Sequence, residues 1–371
     1  MKGTVLITGG AGFIGSHVAS ELIRAGYHVR VLDSLVTQVH GETPGRPGYL
    51  HPDAEFMLGD VRNPEILDEA LSGIDAVYHL VALVGVGQSM YQIAEYTSVN
   101  NWGTALLLER LMKHRVNKLV VASSMSVYGE GLYVTPSGQP YEHASRTVRQ
   151  LKARQWDMRT PDGLPLHPAP TPETKQPSLA SVYALSKYDQ EQMCLMVGRA
   201  YGVPTVAVRF FNAYGPHQSL SNPYTGVLAI FGSRLLNGKR PIIFEDGQQL
   251  RDFVSVYDVA RACRLALEAD EAQDQVFNVG SGDKVTIEEV AYKLAKVLGK
   301  RLEPEITGNY RVGDIRHCYP DMTLTERVLG YKPEVTLEAG MSDLAEWLER
   351  QTAQDRFGEM QHELASRGLV V

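Results

Sequence analysis

Tyr183 and Lys187 stand four residues apart in Tyr183-Ala184-Leu185-Ser186-Lys187, a spacing that puts a phenol and an ammonium on one helical face. A free tyrosine titrates near ~10, and a nearby positive charge favours its phenolate. Beside a redox cofactor such a pair suits general base catalysis near neutral pH. Alone, Y-x-x-x-K recurs in helices by chance. Ser123 and Ser124, at the end of the apolar run Lys118-Leu119-Val120-Val121-Ala122, add weight, because a hydroxyl there could bridge substrate and phenol. Either serine by itself would equally serve to terminate a strand.

The redox partner is indicated at the start of the chain. Val5-Leu6-Ile7-Thr8 runs directly into Gly9-Gly10-Ala11-Gly12-Phe13-Ile14-Gly15, and a helix-like stretch follows from Ser16 to Ala25. Gly10, Gly12 and Gly15 fit G-x-G-x-x-G, and Gly9, Gly12 and Gly15 fit its G-x-x-G-x-x-G relative. Glycines let the backbone turn sharply and approach a pyrophosphate, whose charge the helix N-terminus binds. The next apolar run, Val29 to Leu32, ends in Asp33, where a carboxylate would hydrogen-bond an adenosine ribose and repel a 2′-phosphate. NAD is therefore favoured over NADP.

The elements that must position these groups repeat with a regular rhythm. Apolar runs at 55–60, 76–80, 118–122 and 205–210 alternate with helical segments, among them one from near Pro64 and a long one from about Val99 to His114. The pattern predicts an α/β fold with a doubly wound parallel sheet and a smaller α/β C-terminal lobe. Ligands in such sheets sit beyond the strands' carboxyl ends, where Asp33, Asp60, Leu80, Ser123, Ser124 and Asn212 all fall. The expected organisation is a dinucleotide-binding domain over 1–211, with an insertion at about 130–177, completed by about 251–281. Residues 212–250 and 282–349 form the second lobe, and 350–371 read as a polar helix or frayed tail. The insertion is rich in proline, and Glu142 to Trp156 within it could form a basic helix carrying Arg146, Arg149, Lys152 and Arg154. A lid, an interface and a structureless solvated excursion all fit its composition.

Composition narrows the class. The net charge of −7 gives no general affinity for nucleic acid or anionic membranes. Cys194, Cys263 and Cys318 lack C-x-x-C spacing, so neither a disulfide framework nor a metal site is expected, and a cytoplasmic location fits. No apolar stretch approaches transmembrane length.

Taken in order, Gly9 to Gly15, Asp33, Gly59-Asp60-Val61, His79-Leu80-Val81-Ala82, Ser123-Ser124-Met125-Ser126-Val127-Tyr128-Gly129, Tyr183/Lys187 and Arg209-Phe210-Phe211-Asn212-Ala213-Tyr214-Gly215-Pro216 carry a resemblance. Over roughly residues 1 to 345 the chain resembles the extended short-chain dehydrogenase/reductase family, in its nucleotide-sugar epimerase/dehydratase branch. The resemblance implies bound NAD, held by Gly9, Gly12, Phe13, Ile14, Gly15, Asp33, Asn100, Ser123 and Phe210. Asp60 and Val61 would lie near the adenine, and Leu80, Val81 and Ala82 would line the cofactor. Tyr183 would be the base, Lys187 its tuner and nicotinamide-ribose anchor, and Ser124 a hydroxyl relay. The substrate would meet Val84, Gly87, Ser124, Asn212, Val227, Arg251, Arg311 and Asp314. Of these, Asn212, Arg251 and Arg311 would serve the diphosphate and Asp314 the nucleotide ribose. Guanidinium groups suit a diphosphate because their planar fork donates two bonds at once; surface salt bridges are the plainer reading of the two arginines. A homodimer through the helices at 99–114 and 183–200 is also implied.

Dehydratases of the branch carry an acidic pair after this serine, and decarboxylases a glutamate; Met125 and Ser126 stand there instead. A cofactor-releasing reductase would usually take NADPH, which Asp33 opposes. A non-catalytic NAD-binding regulator would tend to lose Tyr183, Lys187 or Ser124. The expectation is 4-epimerisation. The stretches 82–90, 221–226 and 316–319, with the insertion, resemble bacterial dTDP-L-rhamnose 4-epimerases, which act on dTDP-L-rhamnose and dTDP-6-deoxy-L-talose. UDP-glucose/UDP-galactose epimerases are the alternative, with Val84 where they carry a lysine. The residue chemistry alone leaves the base and the sugar open, so a dTDP- or UDP-sugar is the expected partner.

Overall fold

Seven apolar runs assemble into one parallel sheet in the computed structural model, which describes residues 2–42, 45–141, 143–351 and 354–370. They are β1 (Lys2–Thr8), β2 (Tyr27–Asp33), β3 (Glu55–Leu58), β4 (Ala76–His79), β5 (Lys118–Ser124), β6 (Thr205–Phe210) and β7 (Val276–Val279). Their order is β7-β6-β5-β4-β1-β2-β3, and every neighbouring pair is parallel. The order reverses between β1 and β4, which opens a crevice at their carboxyl ends. The inner strands read as near-continuous apolar runs because both faces are covered, while the edge strand β3 leaves Leu58 exposed. Val5, Ile7, Val120 and Val208 pack toward Val18, Leu22, Val259 and Cys263, while Leu6, Leu119 and Val121 pack toward Leu67, Leu107, Leu111 and Cys194. A separate apolar cluster, including Leu228, Phe231, Leu294, Met341 and Leu348, forms the core of the residues after Asn212. Cys194, Cys263 and Cys318 are all free and buried. Among the described residues no helix is long and apolar enough to cross a membrane, and no three metal-ligating groups cluster.

One buried ion pair fixes the helix Val182–Tyr201, which carries Tyr183 and Lys187, to the sheet. Glu191 accepts from Arg209 of β6 at 2.9 and 2.7 Å and from the Ser123 hydroxyl of β5 at 2.6 Å. Arg209 also lies over the Tyr128 ring, 4.7 Å from its centroid. Removing one partner strands the other charge, so Glu191→Ala should lower the unfolding free energy by about 3–5 kcal/mol. Denaturant titration against Glu191→Gln, which keeps a hydrogen-bonding oxygen, checks this; an alanine variant as stable as the parent contradicts it.

Three expectations need correction. The helix expected over Val99–His114 is α-helical only over Gly103–Leu111; a π-helical turn, Thr97–Trp102, precedes it. The insertion is not structureless: Leu132–Val134 pairs antiparallel with Pro140–Tyr141 on one side and His167–Ala169 on the other. Tyr133, Ala144, Met158 and Leu166 form its own small core. Its basic helix shrinks to Val148–Lys152, started by Thr147, whose hydroxyl accepts from the Gln150 N–H, and followed by Arg154 at a left-handed φ of 55°. Glu142 lies outside the described residues. Within the tail the expected helix forms over Phe357–Ser366, but it is amphipathic rather than polar, burying Phe357, Met360 and Leu364 in a cluster with Phe244.

Candidate active site

The glycine turn follows β1 without a spacer. Gly9 takes a left-handed φ of 70°, and a side chain there would come within 2.8 Å of the Val81 backbone. A Cβ on Gly15 would lie 2.4 Å from the Gly9 carbonyl oxygen, so the first helical turn packs directly on the loop. Gly12 is the N-cap of the helix Phe13–Arg24, with no side chain capping it and no acidic residue in the first turn. A Cβ on Gly12 would meet only the Gly9 oxygen, at 3.3 Å. Free room above uncapped N–H groups fits a pyrophosphate. Asp33 braces the turn, accepting from Ala11 N at 3.0 Å and Leu35 N at 2.9 Å.

Around this cradle, Leu80, Val81 and Ala82 follow β4 at the sheet's reversal. Val61 is buried in the same layer as Leu6, and Val81 packs against that layer. Phe13 and Ile14, half-buried, open the helix. Asp60 is held by Arg62, the closest contact being 2.6 Å. Burial would push its carboxyl up, but the bonds from Arg62 outweigh this and keep it below the usual carboxylate range. Asn100, on the π-helical turn, is fully buried: it accepts from Leu83 N at 2.8 Å and donates to the Ser186 hydroxyl at 2.9 Å. It therefore ties the cofactor-side loop to the Tyr183 helix.

Ser124 and Tyr183 are brought face to face. Ser124 pairs in register with Phe210 of β6, and its Oγ accepts from Ser126 N at 3.2 Å and Ser126 Oγ at 2.9 Å. With both lone pairs occupied, its own proton is left to donate to the phenol oxygen of Tyr183. Burial pushes the Tyr183 phenol up, and the Ser124 hydrogen bond opposes it by stabilising the phenolate. Lys187 is not bonded to Tyr183. Its Nζ donates to Gln190 Oε1 at 2.6 Å, and burial lowers it to about 8. Ser123 faces Glu191 instead.

Ser126 and Gln190 were not anticipated as parts of this constellation. The second was readable, because Gln190 stands three residues after Lys187 on the same helical face. Ser126 was not, because its hydroxyl reaches Ser124 only through the 3₁₀ turn Met125–Tyr128.

The residues expected to meet the substrate lie on several segments, Asn212, Val227, Arg251, Arg311 and Asp314 after β6 and Val84 and Gly87 in the segment after β4. Asn212 begins a short strand paired with Phe253–Ser255, and its buried Oδ1 has no hydrogen-bond partner. Arg251 donates to the carbonyls of Leu250, Arg316 and Ile315, and burial lowers its pKa. Arg311 pairs with Asp314 at 2.8 Å and lies over the Phe244 ring. Val227 opens the helix Val227–Leu236, which also lacks a side-chain cap. Val84 is 54% exposed. Gly87 lies under Leu364 of the C-terminal helix, where a Cβ would come within 3.0 Å of that side chain.

Comparison with known proteins gives the same outline. The model of the NAD dependent epimerase/dehydratase family matches residues 5–152 and 161–280. The dTDP-L-rhamnose 4-epimerase of Burkholderia thailandensis is 36% identical over 349 residues, 93% of this chain and 94% of that protein. A putative UDP-glucose 4-epimerase of Methanocaldococcus jannaschii is 32% identical over 93% of this chain and 98% of its own length. Among solved structures, UDP-glucose 4-epimerase of Thermotoga maritima with UDP-glucose superposes with a TM-score of 0.76 at 31% identity, covering 94% of this chain and 99% of that one. The Thermus thermophilus UDP-glucose 4-epimerase complexed with NAD gives 0.74 at 29% identity, covering 94% and 100%. With a glycine cradle at the sheet reversal and a Tyr–Ser pair beside it, the chain belongs to the NAD dependent epimerase/dehydratase family.

Proposed function

We propose that this nucleotide-sugar epimerase interconverts dTDP-L-rhamnose and dTDP-6-deoxy-L-talose at C4. The observation that carries the reading is the Tyr183–Ser124–Ser126 chain standing without an acid: Met125 and Ser126 occupy the places of a dehydratase's acidic pair. The buried carboxylate on the Tyr183 helix, Glu191, is held by Arg209 and Ser123. Removal and return of one hydroxyl proton is the chemistry this set supports.

Gly12 to Gly15 and Asp33 would hold the pyrophosphate and adenosine ribose of NAD, and Lys187 the nicotinamide ribose. NAD, when bound, supplies a two-electron acceptor that is regenerated within each turnover. Tyr183 takes the C4 hydroxyl proton as that carbon is oxidised and returns it after the 4-keto sugar has turned over in the pocket. Ser124 stabilises the phenolate that exists before the proton is taken and again after it is returned, and it orients the hydroxyl. Asn212, Arg251, Arg311 and Asp314 anchor the nucleoside diphosphate, whose binding energy keeps the intermediate in place. The 36% identity to the Burkholderia enzyme supports the dTDP-sugar.

Incubation of purified protein with dTDP-L-rhamnose, and separately with UDP-glucose, without added NAD, tests this through the C4 configuration read by NMR. We expect talose formation from the first. Turnover of UDP-glucose alone transfers the assignment to a UDP-sugar, and no product from either removes the epimerase reading. Homodimerisation belongs to the same proposal: Trp102, Leu185, Met196 and Tyr201 are each more than half exposed on the helical layer of residues 97–111 and 182–201. Light scattering should return twice the 41.0 kDa chain mass. A cytoplasmic location fits the three unpaired thiols.

A further inference from the structure

The insertion at 130–177 grips one backbone segment from both sides. At its start, Glu130 accepts the N–H groups of Arg316, at 2.8 Å, and His317, at 3.2 Å. Farther along, Arg146 donates to the Asp314 carbonyl at 3.0 Å. From the lobe side, Arg251 donates to the carbonyls of Ile315 and Arg316. Three successive carbonyls, 314 to 316, are thus held by two guanidiniums, and two successive N–H groups by one carboxylate. The segment so fixed continues directly from Arg311 and Asp314.

A second observation points the same way. Arg146 also pairs with Glu245 at 2.6 Å, and Glu245 with Arg316 at 3.1 Å. Glu245 is 2% exposed and takes a left-handed φ of 56°, a conformation that non-glycine residues hold only where their surroundings impose it. Arg316 itself is 2% exposed and reaches Asp246 and Asp157, the latter also in the insertion. Buried ionic clusters of this kind add little net stability over apolar packing. What this one supplies is a single backbone course for residues 314–317.

We propose that Arg146 is a positioning residue for the substrate nucleotide, reaching out of the insertion to set the backbone that presents Arg311 and Asp314 to a nucleoside diphosphate. The inference rests on the reading that Arg311 and Asp314 bind that part of the substrate. It gives the insertion a function in recognition, carried out at a distance from the reacting carbon.

Calorimetric titration of the NAD-containing protein with dTDP and with UDP tests it, because nucleotide binding is read without turnover. Arg146→Met should weaken binding of the preferred nucleotide by about tenfold or more, the size of one misaligned charge-assisted hydrogen bond. KM for the nucleotide sugar should rise in parallel, while kcat and NAD content stay near those of the parent. Arg146→Lys keeps the charge beside Glu245 and should recover part of the affinity. Should Arg146→Met fail to fold, Glu130→Gln, which loosens the opposite grip, should weaken nucleotide binding in the same direction. A folded Arg146→Met protein with unchanged dTDP and UDP affinity, or an unchanged KM, overturns the proposal while leaving the epimerase reading intact. A parent protein that binds neither nucleotide overturns both.

Discussion

Tyr183→Phe should abolish nearly all epimerisation, lowering kcat by at least the ~10²–10⁴-fold contributed by a positioned acid–base group, while NAD content and thermal stability stay unchanged. The substitution deletes one oxygen from a phenol that faces Ser124 in a buried site, and the ring that packs the helix start remains. Burial raises the Tyr183 pKa, so its basic form is scarce at neutral pH unless Ser124 and nearby positive charge compensate. Turnover of the parent should therefore increase as pH rises toward deprotonation of Tyr183. In Ser124→Ala, which removes the hydroxyl that opposes burial, this limb should move to higher pH. Phenylalanine retaining a tenth or more of parental turnover would assign the base to another residue.

Gly15→Val should strip the protein of NAD. The new Cβ would stand 2.4 Å from the Gly9 oxygen and 2.6 Å from Gly10 Cα, and both contacts are backbone, so no rotamer relieves them. Overpacking of this kind typically costs about 1–3 kcal/mol, equivalent to about 5- to 150-fold in affinity when it falls on the binding loop. The strain here spreads the glycine turn away from the helix end that receives the pyrophosphate. Absorbance and mass spectrometry of the purified variant should find little cofactor, with activity returning only at high added NAD. A variant purifying with full NAD would show that the loop shifts without loss of the cradle.

The parts of the molecule legible in the sequence are those set by short-range rules. Strand runs with both faces buried announce a parallel sheet, and Gly9 to Gly15 announce a turn whose steric reasons lie within the turn itself. Tyr183 and Lys187 are readable because helical spacing alone places them on one face. The rest depends on contacts between distant segments. Nothing around Ser126 signals that its hydroxyl occupies the second lone pair of Ser124, which determines where the Ser124 proton goes. The insertion reads as irregular because proline and charge dominate it. Its order comes from a four-residue apolar core and from Glu130 and Arg146, which reach Arg316 and Glu245, each more than ninety residues away in the chain. The tail misleads similarly: Phe357, Met360 and Leu364 look sparse until Phe244 supplies the other half of their cluster.

The three thiols have a use of their own. Cys263 belongs to one layer against the sheet, Cys194 to the opposite layer, and Cys318 to the small cluster with Met125 and Phe211. Burial pushes all three above the ordinary thiol range, so none presents a reactive thiolate while its surroundings are closed. Alkylation at each is then a clock for opening of its own region, and the order in which the three become labelled would rank the local breathing of the two sheet faces and the site without any introduced probe.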